Sequence, residues 1–221
     1  MAEPALALTS LMKSFGSRPV LRGLELSMVS GEVVAIMGPS GAGKTTLLRL
    51  ICGLDRADAG TIAIHGADVT RVAPHRRGVG LVPQDDALYP HLTLGDNIAL
   101  PLARRGIAGV ERRRRVAEIA SLLQISDLLR RKPGAVSGGQ RRRASIGRAL
   151  VADPAILLMD EPLSSLDESL RTELRDLLGG WLRERKATAL IVTHDRLDAD
   201  AIASRVLTLR DGVLDAGRPV P

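Results

Sequence analysis

The stretch Gly38-Pro39-Ser40-Gly41-Ala42-Gly43-Lys44-Thr45-Thr46 restricts what this chain can be more than any other. It fits G-x-x-x-x-G-K-[ST], the phosphate-binding loop. An apolar run at residues 33–37 precedes it and reads as a buried strand. Leu47, Leu48, Leu50 and Ile51 follow it and read as the buried side of a helix. That strand–loop–helix context is what the motif requires. The glycines let backbone N–H groups turn inward around phosphate oxygens. The helix start adds a partial positive charge and Lys44 a full one. Thr45 can offer its hydroxyl to Mg²⁺. Only four Lys occur in the chain and one falls here, which argues against a chance Gly-rich turn. The loop points to a nucleoside triphosphate and is silent on what the energy serves.

Composition narrows the setting. A chain of 221 residues suits one large domain, or a core with an inserted subdomain. No run approaches the apolar length of a membrane span. Residues 1–8 carry Glu3 and Pro4 and lack a basic stretch followed by an apolar one, so no signal peptide is expected. Cys52 is the only cysteine; an intrachain disulfide is excluded, which fits a reducing cytoplasm. The net charge of +6 could suggest nucleic acid or an anionic membrane surface. However, the basic residues are nearly all Arg, spread along helical patterns among many acids. The aromatics Phe15, Tyr89 and Trp181 are too scattered to form a base-stacking platform. Nucleic acid is not an expected partner.

The hydropathy pattern predicts strands at residues 5–11, 21–28, 33–37, 61–65, 79–82, 155–159, 188–193, 206–209 and 213–216, with Asp211-Gly212 joining the last two as a hairpin. Helices are predicted at residues 94–100, capped by Thr93, then at 111–123, 141–151, 168–182 and 197–203, with a short turn or helix at 126–129. Residues 53–60 read as a loop. Pro90, Pro101 and Pro133 punctuate helical patterns, so residues 85–152 read as a helical insertion in an α/β chain. The run Arg112 to Arg115 reads as a solvated face, with Val116, Ile119, Leu122 and Leu123 inward.

Two further motifs carry chemistry. Ile156-Leu157-Leu158-Met159-Asp160-Glu161 is a buried strand ending in acids, at the edge of a parallel sheet where ligands sit. Asp160 can hold Mg²⁺, and Glu161 can polarise a water that attacks the γ-phosphate. Val136-Ser137-Gly138-Gly139-Gln140 precedes a helix and presents a hydroxyl, backbone N–H groups and a dipole end, a second anion site in one chain.

In this order these motifs resemble the ATP-binding subunits of ABC transporters, and the resemblance covers essentially the whole chain. It implies an α/β fold: a P-loop NTPase core with a mainly parallel sheet, an N-terminal antiparallel β subdomain and an inserted α-helical subdomain, one ATP-binding domain over residues 1–221. Ser137, Gly138, Gly139 and Gln140 look like the ABC signature, which in the family binds the γ-phosphate of ATP held by a second subunit's phosphate loop. Gln84 matches the Q-loop glutamine, at Mg²⁺ and the attacking water. Ser164-Ser165-Leu166-Asp167 matches the D-loop, His194 the switch histidine at the γ-phosphate, and Phe15 the aromatic that stacks on adenine. Taken singly, Gln84 reads as a loop residue, His194 as a helix cap and Phe15 as core. Their spacing relative to the stronger motifs reverses that.

The resemblance implies ATP and Mg²⁺ as cofactors, ATP hydrolysis by Glu161 with Gln84 and His194, and a head-to-tail homodimer. It also implies membrane-spanning permease subunits, an extracytoplasmic solute-binding protein, and a peripheral place on the cytoplasmic face of the inner membrane. The stretch from Leu88 to Leu94 and the Asp-Glu-Pro-Leu-Ser-Ser-Leu-Asp run favour solute importers of the sugar, polyamine, thiamine, molybdate, sulphate or iron type. A soluble ABC-type ATPase acting on ribosomes or DNA, or one energising an exporter, is the alternative. A GTP-binding switch fails for want of an Asn-Lys-x-Asp base reader, since Asn97 is the only Asn. Val136 stands where Leu is usual and Pro83 where Phe is common. No C-terminal regulatory domain is expected after the final hairpin.

Overall fold

A computed structural model describes residues 3–164 and 166–219. The expectations that touch Met1, Ala2, Ser165 and Pro221 lie outside the described residues.

Among the described residues, ten strands form two sheets. The first is antiparallel, in the order β2–β1–β4–β5, from β1 (Leu6–Phe15), β2 (Arg18–Met28), β4 (Ala59–Ile64) and β5 (Ala67–Asp68). The second has the order β10–β9–β3–β8–β7–β6, from β3 (Val33–Met37), β6 (Val79–Val82), β7 (Ile156–Asp160), β8 (Ala189–Val192), β9 (Arg205–Arg210) and β10 (Val213–Pro219). Its five strands from β9 to β6 are parallel; only β10 runs against its neighbour β9.

The side chains of β3 explain the layering. Val33 and Ala35 join one hydrophobic cluster, Val34 and Ile36 the other, so both faces are covered, as a parallel sheet requires. On one face α1 (Lys44–Cys52) buries Leu47, Leu48, Leu50 and Ile51 between the parallel sheet and the antiparallel sheet. The other face carries α4 (Gly138–Leu150), α5 (Glu168–Glu184) and α6 (Arg196–Ile202), with α2 (Leu94–Arg104) and α3 (Gly109–Leu122) packed beyond them. In α3, Val116 and Ile119 are buried, and Arg114 and Arg115 of the Arg run pair with Glu111 and Glu118 at its surface. The expected fold class is met.

The boundaries differ in instructive places. β1 does not stop at Leu11. It shifts register near Ser10 and continues to Phe15, which pairs with Arg18 across a tight turn at Gly16. β4 begins at Ala59, inside the stretch read as loop, because Thr9 and Met12 of β1 supply its ladder. α2 runs through Pro101 to Arg104, since Ile98 and Leu102 on either side of the proline are both buried in the core. α4 starts at Gly138, earlier than the predicted 141, because Ser137 caps it.

Candidate nucleotide site

The parallel sheet delivers the site. β6, β7 and β8 lie side by side, with Val82 opposite Met159 and Asp160 opposite Val192. Gln84, Glu161 and His194 therefore leave the carboxyl ends of three neighbouring strands, next to the loop that leaves β3. The Glu161 backbone N–H donates to Val192 O at 2.9 Å, fixing one strand end to the next. Glu161 adopts φ 46°, a region in which L-residues are strained by about 1 kcal/mol or more. Its carboxylate meets His194 Nδ1 at 2.8 Å. Glu161 is largely buried and His194 largely open, with side-chain exposures of 11% and 64%. The inner partner of the pair is thus held and the outer one is accessible.

The loop itself is set by close packing. A Cβ on Gly38 would collide with the Leu209 carbonyl of β9, and Gly43 has φ 103° with Val20 of β2 against it. Lys44 is buried and donates to the carbonyls of Gly38 at 2.8 Å and Pro39 at 3.1 Å. Ala42 N–H turns back to Pro39 O at 3.2 Å. α1 has Gly43 as its N-cap, with no side-chain cap and no acid in its first turn, leaving its positive end to an anion.

A cavity of about 510 Å³ gathers Ser40, Gly41, Gly43, Lys44, Thr45, Thr46, Gln84, Asp160, Glu161 and His194, with Phe15 and Arg18 from the β1–β2 hairpin. Phe15 is 53% exposed and Lys13 Nζ lies 5.3 Å from its ring centre, so it belongs to the cavity wall and not to the core. A second cavity of about 550 Å³ adjoins it through Thr45, Gln84, Asp160 and Ser164.

Asp160 is 5% exposed and its Oδ1 has no hydrogen-bond partner among the described residues. Burial pushes its carboxyl above the ordinary value; the neighbouring Thr45 hydroxyl opposes this, Glu161 nearby adds to it, and Lys44 and Arg142 pull back. A desolvated carboxylate oxygen without a donor, beside a threonine hydroxyl, suits a hard cation such as Mg²⁺.

Ser137, Gly138, Gly139 and Gln140 are not among the residues lining either of these cavities. Ser137 Oγ accepts from Gln140 N–H at 3.2 Å while Gln140 Oε1 accepts from Ser137 N–H at 3.0 Å, a capping box. Gly139 packs against Leu170 and Leu166, so the helix start is seated on α5. Asp167 caps α5 through Leu170 N–H.

A model described as "ABC transporter" matches residues 21–164. The chain belongs to the ABC transporter family. It is 44% identical, over 94% of its length, to the sn-glycerol-3-phosphate import ATP-binding protein UgpC 2 of Agrobacterium fabrum, of which it covers 56%. It is 43% identical over its whole length to the lactose transport ATP-binding protein LacK of Rhizobium radiobacter, of which it covers 60%. The chain thus spans a little over half the length of these curated relatives. The dimeric structure of a post-hydrolysis state of the ATP-binding cassette MJ0796, bound to ADP and Pi, superposes with a TM-score of 0.89 at 31% identity, covering 98% of this chain and 99% of that one.

Two features of this ABC site were not singled out in the sequence. Arg18 lines the cavity beside Phe15, one of many Arg with no distinguishing neighbour. Arg171 of α5 pairs with Asp195 at 2.7 Å and Asp198 at 2.8 Å, and Asp195 caps α6 directly after His194. The network ties the histidine's segment to the helix that Asp167 begins. An Asp at a predicted helix cap was the available signal.

Proposed function

We propose that this chain binds and hydrolyses ATP at an interface between two copies, and that the cycle drives solute import through separate membrane-spanning subunits. The observation that carries the reading is a division. One cavity unites the phosphate loop, Asp160, Glu161, Gln84 and His194, while the second anion site at residues 137–140 stands outside it. A head-to-tail pair would bring the two together. Residues 1–221 act as one ATP-binding domain in this reading, with residues 85–152 as its helical insertion.

The triphosphate lies along the loop N–H groups, and Lys44 exchanges its carbonyl acceptors for phosphate oxygens. Phe15 stacks on the adenine. Thr45 and Asp160, joined by Gln84, would hold Mg²⁺, which when bound neutralises charge on the β- and γ-phosphate oxygens. Glu161 takes the proton of a water aimed in line at the γ-phosphorus as the bond to the bridging oxygen breaks, giving ADP and phosphate. His194 Nδ1–H donates to Glu161 Oε2 and holds that carboxylate in place. Ser137 and the N–H groups of Gly138, Gly139 and Gln140 close over the γ-phosphate of the other copy.

The partners are a second copy, permease subunits and an extracytoplasmic solute-binding protein, with the chain peripheral on the cytoplasmic face of the inner membrane. The relatives named for import support the direction. Glu161→Gln tests the chemistry: nucleotide binding is retained, turnover falls by about 100-fold or more, and an ATP-dependent dimer accumulates in size-exclusion chromatography. Turnover near the parent rate would remove Glu161 from its role.

A further inference from the structure

The helix that Ser137 begins also carries a buried charge. Arg142 is 1% exposed. Its Nε donates to Pro162 O at 2.7 Å, its Nη1 to Pro83 O at 2.6 Å and Gln84 O at 3.2 Å, and its Nη2 to Glu161 O at 2.9 Å and Asp160 O at 3.4 Å. The acid it approaches, Asp86, stands 3.9 Å away. The charge is thus held mainly by backbone carbonyls, and these come from just two segments. One is the turn after β6 that carries Gln84; the other is the end of β7 at Asp160 with the turn that follows it at Glu161 and Pro162. Its neighbour Arg143 makes an ordinary ion pair with Glu173.

Burying a guanidinium is costly, and an apolar side chain would fill the same volume without that cost. What an apolar residue cannot do is bridge two strands' ends with a planar fork of donors. The turn at Glu161 needs holding, since its backbone sits at positive φ and its carbonyl relies on Arg142 and Ser164. We infer that Arg142 is a positioning residue for hydrolysis: its guanidinium clamps the backbones of Gln84 and Glu161 together and references both to the helix that starts at Ser137. The inference rests on the ATP-hydrolysis reading above. It adds a route by which contact at residues 137–140 with the other copy's nucleotide reaches this copy's own Glu161 and Gln84.

The test uses the full chain and Mg·ATP, with Arg142→Met, Arg142→Lys and Arg142→Ala. For each, the stoichiometry and affinity for a fluorescent ATP analogue are measured beside steady-state hydrolysis and thermal melting. Arg142→Met is expected to bind one nucleotide per chain with affinity within about threefold of the parent, while kcat falls roughly 30- to 100-fold at similar KM. Arg142→Lys, a single point of charge, recovers only part of kcat. Added guanidinium at tens of millimolar raises kcat of Arg142→Ala severalfold and leaves the parent unchanged. If kcat falls only in proportion to the fraction of chains that bind nucleotide, or if KM rises at unchanged kcat, the inference is overturned. Should Arg142→Met not fold, Arg142→Lys decides, and a parent-like kcat there overturns it. A parent chain that binds ATP without turning it over would sink the hydrolysis reading and this inference together. Turnover in the parent with no kcat loss in the variants sinks the inference alone.

Discussion

Two helix starts in this molecule belong to the proposed site, Gly43 before α1 and Ser137 before α4, and they are built in opposite ways. α1 opens on Gly43 with no side-chain cap, and its loop is pinned by backbone packing against β9 and β2. α4 opens on Ser137 with a complete capping box, its N–H groups partly satisfied by Ser137 and Gln140 of the same chain. In the proposed function the first is a cradle that the ligand itself caps, while the second, already capped by its own side chains, would give up part of that cap to take a ligand. A site of the first kind fixes how tightly one chain holds its nucleotide; a site of the second kind suits a contact made and broken in each cycle.

The sharpest way to break this comparison is on the cradle side. Asp160→Asn is expected to lower Mg²⁺-dependent turnover by about 100-fold or more, since the variant loses the charged oxygen that suits the cation. The same variant is expected to melt about 2–4 °C higher without ligand, for roughly 1 kcal/mol of relieved burial. The sign follows from the raised pKa of Asp160. The folded chain keeps a proton that the unfolded chain releases, so this group favours folding at acid pH. That contribution is lost as pH rises through the raised value. Asn removes the penalty at neutral pH, so the gain in melting temperature should vanish at low pH. Differential scanning calorimetry across pH and a phosphate-release assay check both halves.

A smaller effect is expected on the other side. Ser137→Ala removes the cap hydroxyl and costs about 1 kcal/mol, a fall of about 2–4 °C in melting temperature. Nucleotide affinity of the single chain should stay within about twofold, because residue 137 is outside the cavity of its own chain, while turnover drops roughly tenfold. A large loss of affinity in the monomer would show that the two helix starts serve one chain's site after all.

The same contrast explains what could be read from the sequence. The cradle was legible because its requirements are residue types: glycines where backbones meet, a lysine, a threonine, and continuous apolar strands at residues 33–37 and 79–82 that the structure reproduces at those bounds. Phe15 was placed by the β1–β2 hairpin, whose register after Ser10 passes through bulges set by cross-strand pairing with β2 and not by a local pattern. The course of α2 through Pro101 followed from burial of Ile98 and Leu102. Arg142 was hidden for a further reason. It lies in a run of three arginines, and its partners are backbone carbonyls, which carry no residue-type signal. Gln84 and Glu161 could be named singly, but not the atom that joins them.

The claim that one chain's cradle works with another chain's cap is tested most directly by mixing two inactive variants. Lys44→Ala disables the cradle and Ser137→Glu disables the cap, and each chain alone should hydrolyse ATP at a small fraction of the parent rate. In a mixed pair one interface carries both lesions and the other carries none. With random pairing, half the dimers are mixed and each has one intact site of two, so the mixture should recover about a quarter of the parent turnover. A mixture no faster than the sum of its separate components would contradict the account and place the complete site within a single chain.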